Sequence, residues 1–418
     1  MENLEPLTRV PARCRLCDAD LTRSVIDLGV TPLANAFVTP AQAAAGLDRN
    51  WPLHVRVCDG CLLVQVDAVV QASAIFSDYP YFSSVSSSWV AHAGRFADAM
   101  IPRFGLGAGS LVVEIASNDG YLLRQFAARG IPVLGIEPAA NVAAVARAAG
   151  VPTEVAFFGT DTARALAARG VRADLTVANN VLAHVPDIAG FVAGFAAVLA
   201  PRGVASFEFP HLLRLLEDAQ FDTIYHEHYS YLSLLVVERL LAAAGLRAFD
   251  VATLPTHGGS LRVHACHADA PHAEQPDLAL VRARERAAGL DGPDAYRGFA
   301  ARVAEMQHGF RAFLARLRVE GHRIAAYGAA AKGNTLLNTC GVGPADIAYV
   351  ADRSPAKQGL LLPGSHIPVV SPEFLMRDRP DDVVILPWNL AGEIVGELAT
   401  LRASGTRFWV AVPDLREV

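Results

Sequence analysis

Four cysteines in two identical pairs form the clearest metal-binding pattern of this sequence. Two residues separate Cys14 from Cys17 and Cys58 from Cys61, and Cys58 follows Cys17 by 41 positions. Two such turns can place four thiolates around one Zn²⁺ ion in a tetrahedron. Disulfides are disfavoured in a reducing cytosol, and a thioredoxin-like redox pair would not need a second copy. The pattern predicts a structural zinc site without an open coordination position.

A second chemical signal is a run of ionisable residues flanked by tyrosines, from Tyr225 to Tyr229. In an extended segment, Tyr225 and Glu227 would share one face, and His226 and His228 the other. A histidine here could serve as a general base, while the carboxylate sets its tautomer or holds a substrate hydroxyl. The alternative is a polar latch between domains.

A third signal resembles the turn of a nucleotide site. Glu114 lies in an apolar run, Asp119 and Gly120 follow it, and Glu137 ends the next run. Such an acid can accept the ribose hydroxyls in the crevice of a doubly wound sheet. Two acids and few glycines disfavour a pyrophosphate and favour a ligand with a positive centre, so S-adenosylmethionine is favoured over NAD. The alternative is an ordinary α/β turn.

Two further segments are expected near the same crevice. The fourth strand leads into Asn179 and His184, although a histidine before a proline can also cap a helix. The stretch 76–89 combines aromatic residues, Tyr79 and Tyr81 among them, with serines. This composition suits a lid over a ligand, and packing between domains equally well.

Near the C-terminus, Tyr327-Gly-Ala-Ala-Ala-Lys332 follows an apolar run, and Asp352 ends the next one. The layout admits an NAD-dependent sugar oxidoreductase. Lys332 in the turn argues instead for a clamp on a diphosphate. Lys332 and Lys357 are the only lysines in an arginine-rich chain, and both are expected at the same edge of the sheet. A non-catalytic zinc-knuckle binding protein with decayed α/β units is the alternative from another class.

These segments need a scaffold, and the apolar pattern supplies one. From residue 110, β-rich runs alternate with alanine-rich helical stretches, then a strand pair lacks an intervening helix, and after a charged helical region the alternation restarts. Buried parallel strands covered by helices give this pattern. We expect an α/β protein with a zinc-knuckle domain (1–72), a doubly wound Rossmann-like domain (73–270) and a second Rossmann-like domain (271–418).

Composition excludes several classes of function. The formal charge is −6 and the pI about 6.1, without the basic face that general nucleic-acid binding requires. The N-terminus lacks the apolar core of a signal peptide, and the longest uncharged apolar run is too short to span a membrane. We expect a soluble, cytoplasmic protein.

The motifs, taken in order, resemble the sugar C-methyltransferases. The resemblance rests on both cysteine pairs, Glu114-Ile-Ala-Ser-Asn-Asp-Gly120, Asn179-Asn-Val-Leu-Ala-His184, Tyr225-His-Glu-His228, His257-Gly-Gly-Ser-Leu-Arg262 and Tyr327-Gly-Ala-Ala-Ala-Lys332-Gly-Asn334. It covers nearly the whole chain, although Ala116 stands where the family usually has glycine. It implies an S-adenosylmethionine-dependent enzyme that methylates a TDP-linked keto-deoxysugar in branched-sugar biosynthesis.

The resemblance also implies residue roles. His228 would remove a proton next to the keto group, and Tyr225 or His184 would stabilise the resulting enolate, with Glu227 beside them. The predicted cofactor-binding residues are Glu114, Ala116, Asn118, Asp119, Gly120, Glu137, Pro138, Phe158 and Asn179. The predicted substrate-binding residues are Tyr79, Tyr81, His257, Arg262, Tyr327, Lys332, Asn334, Asp352 and Lys357. The partner is a nucleotide-linked sugar, and we expect a monomer that binds neither nucleic acid nor membrane.

Overall fold

The structure is a computed structural model and describes residues 12–67, 70 and 82–418. Within these ranges the strands assemble into three sheets, one for each expected domain. Tyr79 and Tyr81 lie outside the described residues. In the described part of the chain, no helix is both long and apolar enough to cross a membrane.

The first sheet is antiparallel and borrows its last strand from the middle of the chain. Its strands, in spatial order, are β1 (Arg23–Pro32), β2 (Asn50–Val57), β3 (Val64–Val66) and β9 (Ser230–Tyr231). Buried and more exposed residues alternate along β2, so that one face of the sheet is apolar. Helix α1 (Pro40–Ala44) follows β1 and is capped by Thr39. The residues just before β9 are thereby fixed against this first unit.

The middle sheet has seven strands among the described residues. They are β4 (Val112–Ile115), β5 (Val133–Glu137), β6 (Thr153–Val155), β7 (Ala173–Asn179), β8 (Leu199–Pro210), β10 (Leu246–Leu254) and β11 (Ser260–His267). Their spatial order is β10-β11-β8-β7-β4-β5-β6, and β11 pairs antiparallel with both neighbours. All four residues of β4 are buried, as expected for a parallel strand covered on both faces.

Helices cover both faces of this sheet. They are α2 (Ser87–Phe104), α3 (Leu123–Ala127), α4 (Ala140–Ala148), α5 (Thr160–Ala168), α6 (Ile188–Val198), α7 (Leu212–Glu217), α8 (Leu234–Ala243) and α9 (Pro276–Ala287). Leu278 and Val281 of α9 belong to the apolar core of the middle unit. Helix α9 therefore packs with the middle unit, although it follows residue 271, where the sequence placed the boundary.

The third sheet repeats the parallel pattern. Its strands are β12 (Ile324–Tyr327), β13 (Val350–Ala351), β14 (Val369–Val370), β15 (Asp382–Ile385), β16 (Arg407–Val410) and β17 (Arg416–Glu417). The order is β14-β13-β12-β15-β16-β17, and only β17 runs antiparallel among these strands. The accompanying helices are α10 (Phe299–Val319), α11 (Ala331–Cys340), α12 (Pro372–Asp378), α13 (Ala391–Glu397) and α14 (Ala399–Ala403). Helix α11 packs against the short segment Phe221–Thr223 of the middle unit.

One apolar core joins the three units. It contains Val55 of β2, Tyr229 beside β9, Phe310 of α10 and Leu336 of α11. Because α11 and β2 pack against the segment around Tyr229, that segment is held from both sides. The fold thus fixes the ionisable run between two other units.

Candidate active site and metal centre

The four cysteine sulfurs converge on one point. Sγ of Cys14 lies 3.4 Å from that of Cys61, and Sγ of Cys17 lies 3.4 Å from that of Cys58. All four sulfurs lie within 4.8 Å of one another. A tetrahedron with Zn–S bonds of about 2.3 Å has edges of about 3.8 Å, so the cluster fits zinc. Nε2 of Gln65 donates to the Cys14 sulfur at 3.1 Å, as suits a thiolate.

Both knuckles have the same local backbone. Asp18 N donates to Cys14 O, and Leu62 N donates to Cys58 O, each at 2.9 Å. Asp18 and Leu62 adopt positive φ angles of 57° and 64°. The repeated turn explains how one spacing brings each pair of thiols to the same ion. Four protein ligands leave no position for a reacting water, so the ion would stabilise the fold of this unit.

The turn after β4 has an unusual backbone. Ala116, Asn118 and Gly120 all have positive φ, at 53°, 50° and 76°. Asparagine and glycine tolerate this region, whereas alanine is strained there by about 1 kcal/mol. A Cβ on Gly120 would lie 2.9 Å from Val151. Ala116 thus keeps the backbone conformation that suits the glycine usual in the family, and the strain lowers the stability of the folded protein.

Glu137 at the end of β5 supports this turn. Its two carboxylate oxygens accept hydrogen bonds from Asn118 N and Ala139 N, each at 2.8 Å. Each oxygen keeps a second lone pair. The two oxygens can therefore each accept a hydrogen bond from one ribose hydroxyl. Pro138 follows at the same edge of the sheet.

Buried oxygens without a hydrogen-bond partner line the inner side of the turn, among the described residues. They are Oε2 of Glu114, Oγ of Ser117 and Oδ1 of Asp119. Burial, with Glu137 and Asp119 nearby, raises the pKa of Glu114 well above its usual value. A ligand that brings a positive charge and donors would satisfy these oxygens, which fits the amino and sulfonium groups of S-adenosylmethionine.

The serine-rich segment contacts the same turn. Ser83 N donates to Oδ1 of Asn118 at 2.8 Å, and Ser84 N donates to Oδ2 of Asp119 at 3.1 Å. These contacts lie within the stretch 76–89, in which the sequence predicted a lid. The lid itself stays a prediction, since its tyrosines fall outside the described residues.

Phe158 is half-buried and packs against two other phenylalanines. Its ring lies 5.6 Å from that of Phe191 and 5.3 Å from that of Phe195, between centroids. Asn179, at the end of β7, faces Tyr121, and the two side chains share a hydrogen bond. Phe158 therefore packs on α6, while Asn179 lies close to the turn after β4.

The ionisable run forms a turn, which corrects the expectation of an extended segment. His228 N donates to Tyr225 O at 2.9 Å, so Tyr225 and His228 lie on the same side. The Tyr225 hydroxyl lies 2.8 Å from Nε2 of His228, and Nδ1 of His228 lies 2.8 Å from the Thr223 carbonyl oxygen. The expected alternation of faces is not observed, because the chain reverses direction between Tyr225 and His228. An alternating pattern of residue types does not reveal such a reversal.

The hydrogen bonds define the state of His228. A carbonyl oxygen only accepts, so Nδ1 carries the proton and Nε2 presents a lone pair to the Tyr225 hydroxyl. Burial and the charges of His184 and Lys332 hold the pKa of His228 well below its usual value. The imidazole is therefore neutral and acts as an acceptor.

Two other histidines surround this pair. The rings of His184 and His228 are 4.6 Å apart between centroids. Burial lowers the pKa of His184 to about 4, and burial together with the charge of Lys332 lowers the pKa of His257 to about 4. His184, His228 and His257, which we call the histidine cluster, are thus neutral at physiological pH, with a lysine nearby.

The remaining residues of the run have other neighbours. Asn35 donates to both carboxylate oxygens of Glu227, at 2.8 and 2.9 Å, and burial raises the pKa of Glu227 to about 7. Nε2 of His226 lies 3.3 Å from the Trp51 carbonyl oxygen on β2. The latch alternative therefore fits His226, whereas Glu227 plays no part in setting the tautomer of His228.

Lys332 lies in a polar cluster that sequence reasoning only partly found. Its Nζ donates to Oδ1 of Asn389 at 2.7 Å and lies 4.5 Å from the centre of the Trp388 ring. The Trp388 indole donates to Asp222 at 2.7 Å, and burial raises the pKa of Asp222 to about 6. No motif pointed to Asp222, Trp388 or Asn389, because their relation depends on how two units pack.

The turn after β12 resembles the one after β4. Oδ2 of Asp352 accepts from Ala329 N at 2.7 Å, as Glu137 accepts from Asn118. Nζ of Lys357 donates to the Ala329 carbonyl oxygen at 2.7 Å. Lys357 thus contacts the turn that leads into Lys332.

Three predicted substrate ligands are engaged elsewhere. Arg262 is buried and paired with Glu208 of β8, which His92 also contacts at 3.0 Å. Tyr327 is packed in the core of the third unit. Asn334 donates to the Ala34 carbonyl oxygen at 2.6 Å. Of these three, Asn334 joins two units, whereas Arg262 is paired within the middle unit and Tyr327 is packed within the third.

Two surface cavities lie away from these residues. One, of about 280 Å³, borders Arg323 and Tyr349, and the other, of about 420 Å³, borders Arg103 and Phe249. None of the predicted site residues lines either one.

Three family models match the chain, one for each unit. Residues 14–76 match the family described as "Putative zinc binding domain", residues 89–251 a "Methyltransferase domain", and residues 255–413 a "C-methyltransferase C-terminal domain". The chain is also 37% identical over 415 residues to C-methyltransferase NovU of Streptomyces niveus, and the match covers 99% of each protein. The chain belongs to the C-methyltransferase family.

This membership confirms several predictions. The enzyme is a methyltransferase, its methyl donor is S-adenosylmethionine, and its first unit is of a zinc-binding type. The alternatives of an NAD-dependent oxidoreductase and of a non-catalytic binding protein are not supported.

More distant similarities concern parts of the C-methyltransferase. The ubiquinone biosynthesis O-methyltransferase of Methylobacterium sp. (strain 4-46) is 37% identical over 101 residues, which cover 23% of this chain and 39% of that protein. Magnesium protoporphyrin IX methyltransferase from Synechocystis PCC 6803, solved with bound SAH, is 15% identical with a TM-score of 0.35. That similarity covers 43% of this chain and 83% of the other.

Proposed function

We propose that this C-methyltransferase methylates a carbon next to the keto group of a nucleotide-linked deoxysugar, through an enolate. A carbon acquires a methyl group as a nucleophile only after it loses a proton, and the carbon beside a ketone is acidic enough for that. The chemistry therefore needs a base, a group that stabilises negative oxygen, and a bound methyl donor.

The hydrogen-bonded pair of Tyr225 and His228 is the observation that carries the proposal. The Thr223 carbonyl fixes the tautomer, so Nε2 of His228 can accept the phenolic proton as the Tyr225 oxygen takes one from the substrate. The two residues then act as one base. The sequence-based hypothesis gave this role to His228 alone; in our proposal Tyr225 meets the substrate.

Lys332 supplies the positive charge for the enolate oxygen. Its charge acts on both His228 and His257, so its field reaches the histidine cluster. Asn389 and Trp388 hold the ammonium in place before the reaction begins. A fixed charge in a buried site stabilises developing negative charge more strongly than mobile water does.

The methyl donor and the nucleotide are proposed to lie at the two strand-end turns. When bound, S-adenosylmethionine supplies an electrophilic methyl group on a positively charged sulfur. Glu114, Asp119 and Glu137 would hold it, because their carboxylates have unused or shareable acceptors. The turn of Ala329 and Asp352 repeats that geometry and would hold the nucleotide, with TDP as the proposed carrier.

The proposal predicts proton exchange without methyl transfer. TDP-linked 3-keto- and 4-keto-deoxysugars would be incubated in D₂O with the enzyme and S-adenosylhomocysteine, and deuterium next to the ketone followed by mass spectrometry. Wild-type enzyme should catalyse the exchange on one class of sugar. H228A and Y225F should slow the exchange by about 100-fold or more, because either change removes one member of the Tyr225–His228 pair that acts as the general base.

The matched control is H308A, which removes an exposed histidine of α10. It should exchange at the wild-type rate. With S-adenosylmethionine present, the same sugar should gain the mass of one methylene group. Exchange by H228A at the wild-type rate would contradict the role of the pair, and absence of methylation across all the sugars would contradict the substrate class.

A further inference from the structure

The loop after β1 brings Asn35, a residue of the metal-binding unit, against the turn of residues 225–228. Asn35 donates through one nitrogen to both carboxylate oxygens of Glu227, at 2.8 and 2.9 Å. The two residues are 192 positions apart in the chain. Glu227 is 2% exposed, so Asn35 takes the place that water would have at an exposed carboxylate.

One helix of the third unit, α11, contacts both that loop and the residues next to the turn 225–228, which we call the catalytic turn. On α11, Nδ2 of Asn334 donates to the Ala34 carbonyl oxygen at 2.6 Å, next to Asn35. One residue on, Oγ1 of Thr335 donates to the Ile224 carbonyl oxygen at 2.9 Å, next to Tyr225. Neighbouring residues of one helix thus set the distance between Asn35 and the turn that carries Glu227.

We propose that Asn35 is a positioning residue of the methyl-transfer reaction, which holds the Glu227 carboxylate ionised and oriented to bind a hydroxyl of the sugar. The proposal rests on the proposed function. A carboxylate offers about four acceptor positions, and Asn35 uses two of them. The Thr223 carbonyl already sets the tautomer of His228, which leaves substrate binding as the chemical use of Glu227.

The groups around Glu227 explain why a neutral partner matters. His184 bonds to the Glu227 backbone, Tyr229 lies near its charge, and the charge of Lys332 acts on His228 of the same turn. Nε2 of His226 faces the backbone of β2. Burial raises the pKa of Glu227, and the hydrogen bond from Asn35 opposes this shift.

The test is the pH dependence of kcat/KM for N35A and N35D. Loss of the Asn35 hydrogen bond removes a contact that favours the ionised form, so the pKa of Glu227 rises and activity is lost on the acidic side. We expect the acidic limb for N35A to move up by on the order of one pH unit. N35D has the same shape but adds a like charge, so it should move the limb further.

The matched control is N338A on α11. The Asn338 side chain donates to the carbonyl oxygens of Asn334 and Pro363, which are not part of the turn that carries Glu227. It should lower the melting temperature without moving the pH profile. An N35A profile that superimposes on the wild-type profile, after scaling, would overturn the proposal.

A second measurement does not depend on turnover. The carboxyl band of Glu227, assigned by subtracting the infrared spectrum of E227Q, would be titrated in wild-type protein and in N35D. The midpoint should rise in N35D, and equal midpoints would refute the role of Asn35. If wild-type enzyme methylates no keto-sugar while the midpoint still shifts, the proposed function fails and the contact with Glu227 stands.

Discussion

At the scale of single residues, the metal centre is built from pairs of near neighbours in the chain, and the active site from residues far apart in it. The four cysteines lie together because each pair is local and its turn is encoded within five residues. The partners of Glu227 and Lys332 lie about 192 and 57 positions away, and no spacing rule encodes such a contact. Asn35 and Asn389 were therefore missed.

The strained turn after β4 gives a prediction on stability. Ala116 has a φ of 53°, where glycine is unstrained, so A116G should raise the free energy of unfolding by about 1 kcal/mol. G120A should do the reverse, since its Cβ would meet Val151. Urea denaturation checks both variants. Destabilisation by A116G would show that the Ala116 methyl group contributes packing that outweighs the strain.

At the scale of elements, the strands were predictable and the short helical segments were not. The apolar runs at β4, β5, β7 and β8 and the antiparallel pair β10–β11 lie where the pattern placed them. The segments Leu182–His184, Phe221–Thr223 and Trp388–Leu390, which carry or contact the histidine cluster, are each one turn long. One turn is too short to show a period.

The segment Phe221–Thr223 contains a buried acid whose charge costs stability. Burial raises the pKa of Asp222 to about 6 from a model-peptide value near 4, so the folded state loses stability as the pH rises through that range. D222N should stabilise the protein by about 2 kcal/mol above pH 7 and have little effect near pH 4.

Thermal unfolding at both pH values measures this difference, with D291N as the control, since Asp291 is exposed. Asparagine can still accept the hydrogen bond from Trp388. An equal effect of D222N at both pH values would contradict the ionisation as its cause.

At the scale of the whole molecule, the metal site and the catalytic turn share a sheet. Strand β3 follows the second cysteine pair and pairs with β9, which follows His228 by two residues. The sequence predicted three units but gave no sign that a strand of one completes the sheet of another. Whether a short strand joins the sheet of another unit depends on tertiary packing.

Zinc removal should therefore affect catalysis although the ion lies outside the site. Metal-free protein should still bind S-adenosylmethionine, since the turn after β4 belongs to the middle sheet, but proton exchange on the sugar should fall sharply. Calorimetry with the donor and the deuterium assay separate the two effects, and added Zn²⁺ should restore exchange. Full exchange by metal-free protein would refute this coupling.

The shared sheet also has a consequence for producing the units as separate proteins. Val64 and Val66 of β3 are each 1% exposed in the intact chain because β9 and the neighbouring core cover them. A separately produced first unit would present β3 as an open apolar edge, ready to pair with another copy and aggregate. A middle unit transplanted into another enzyme would leave β9 without its partner. The first two units must therefore be engineered together, because each completes the other's packing.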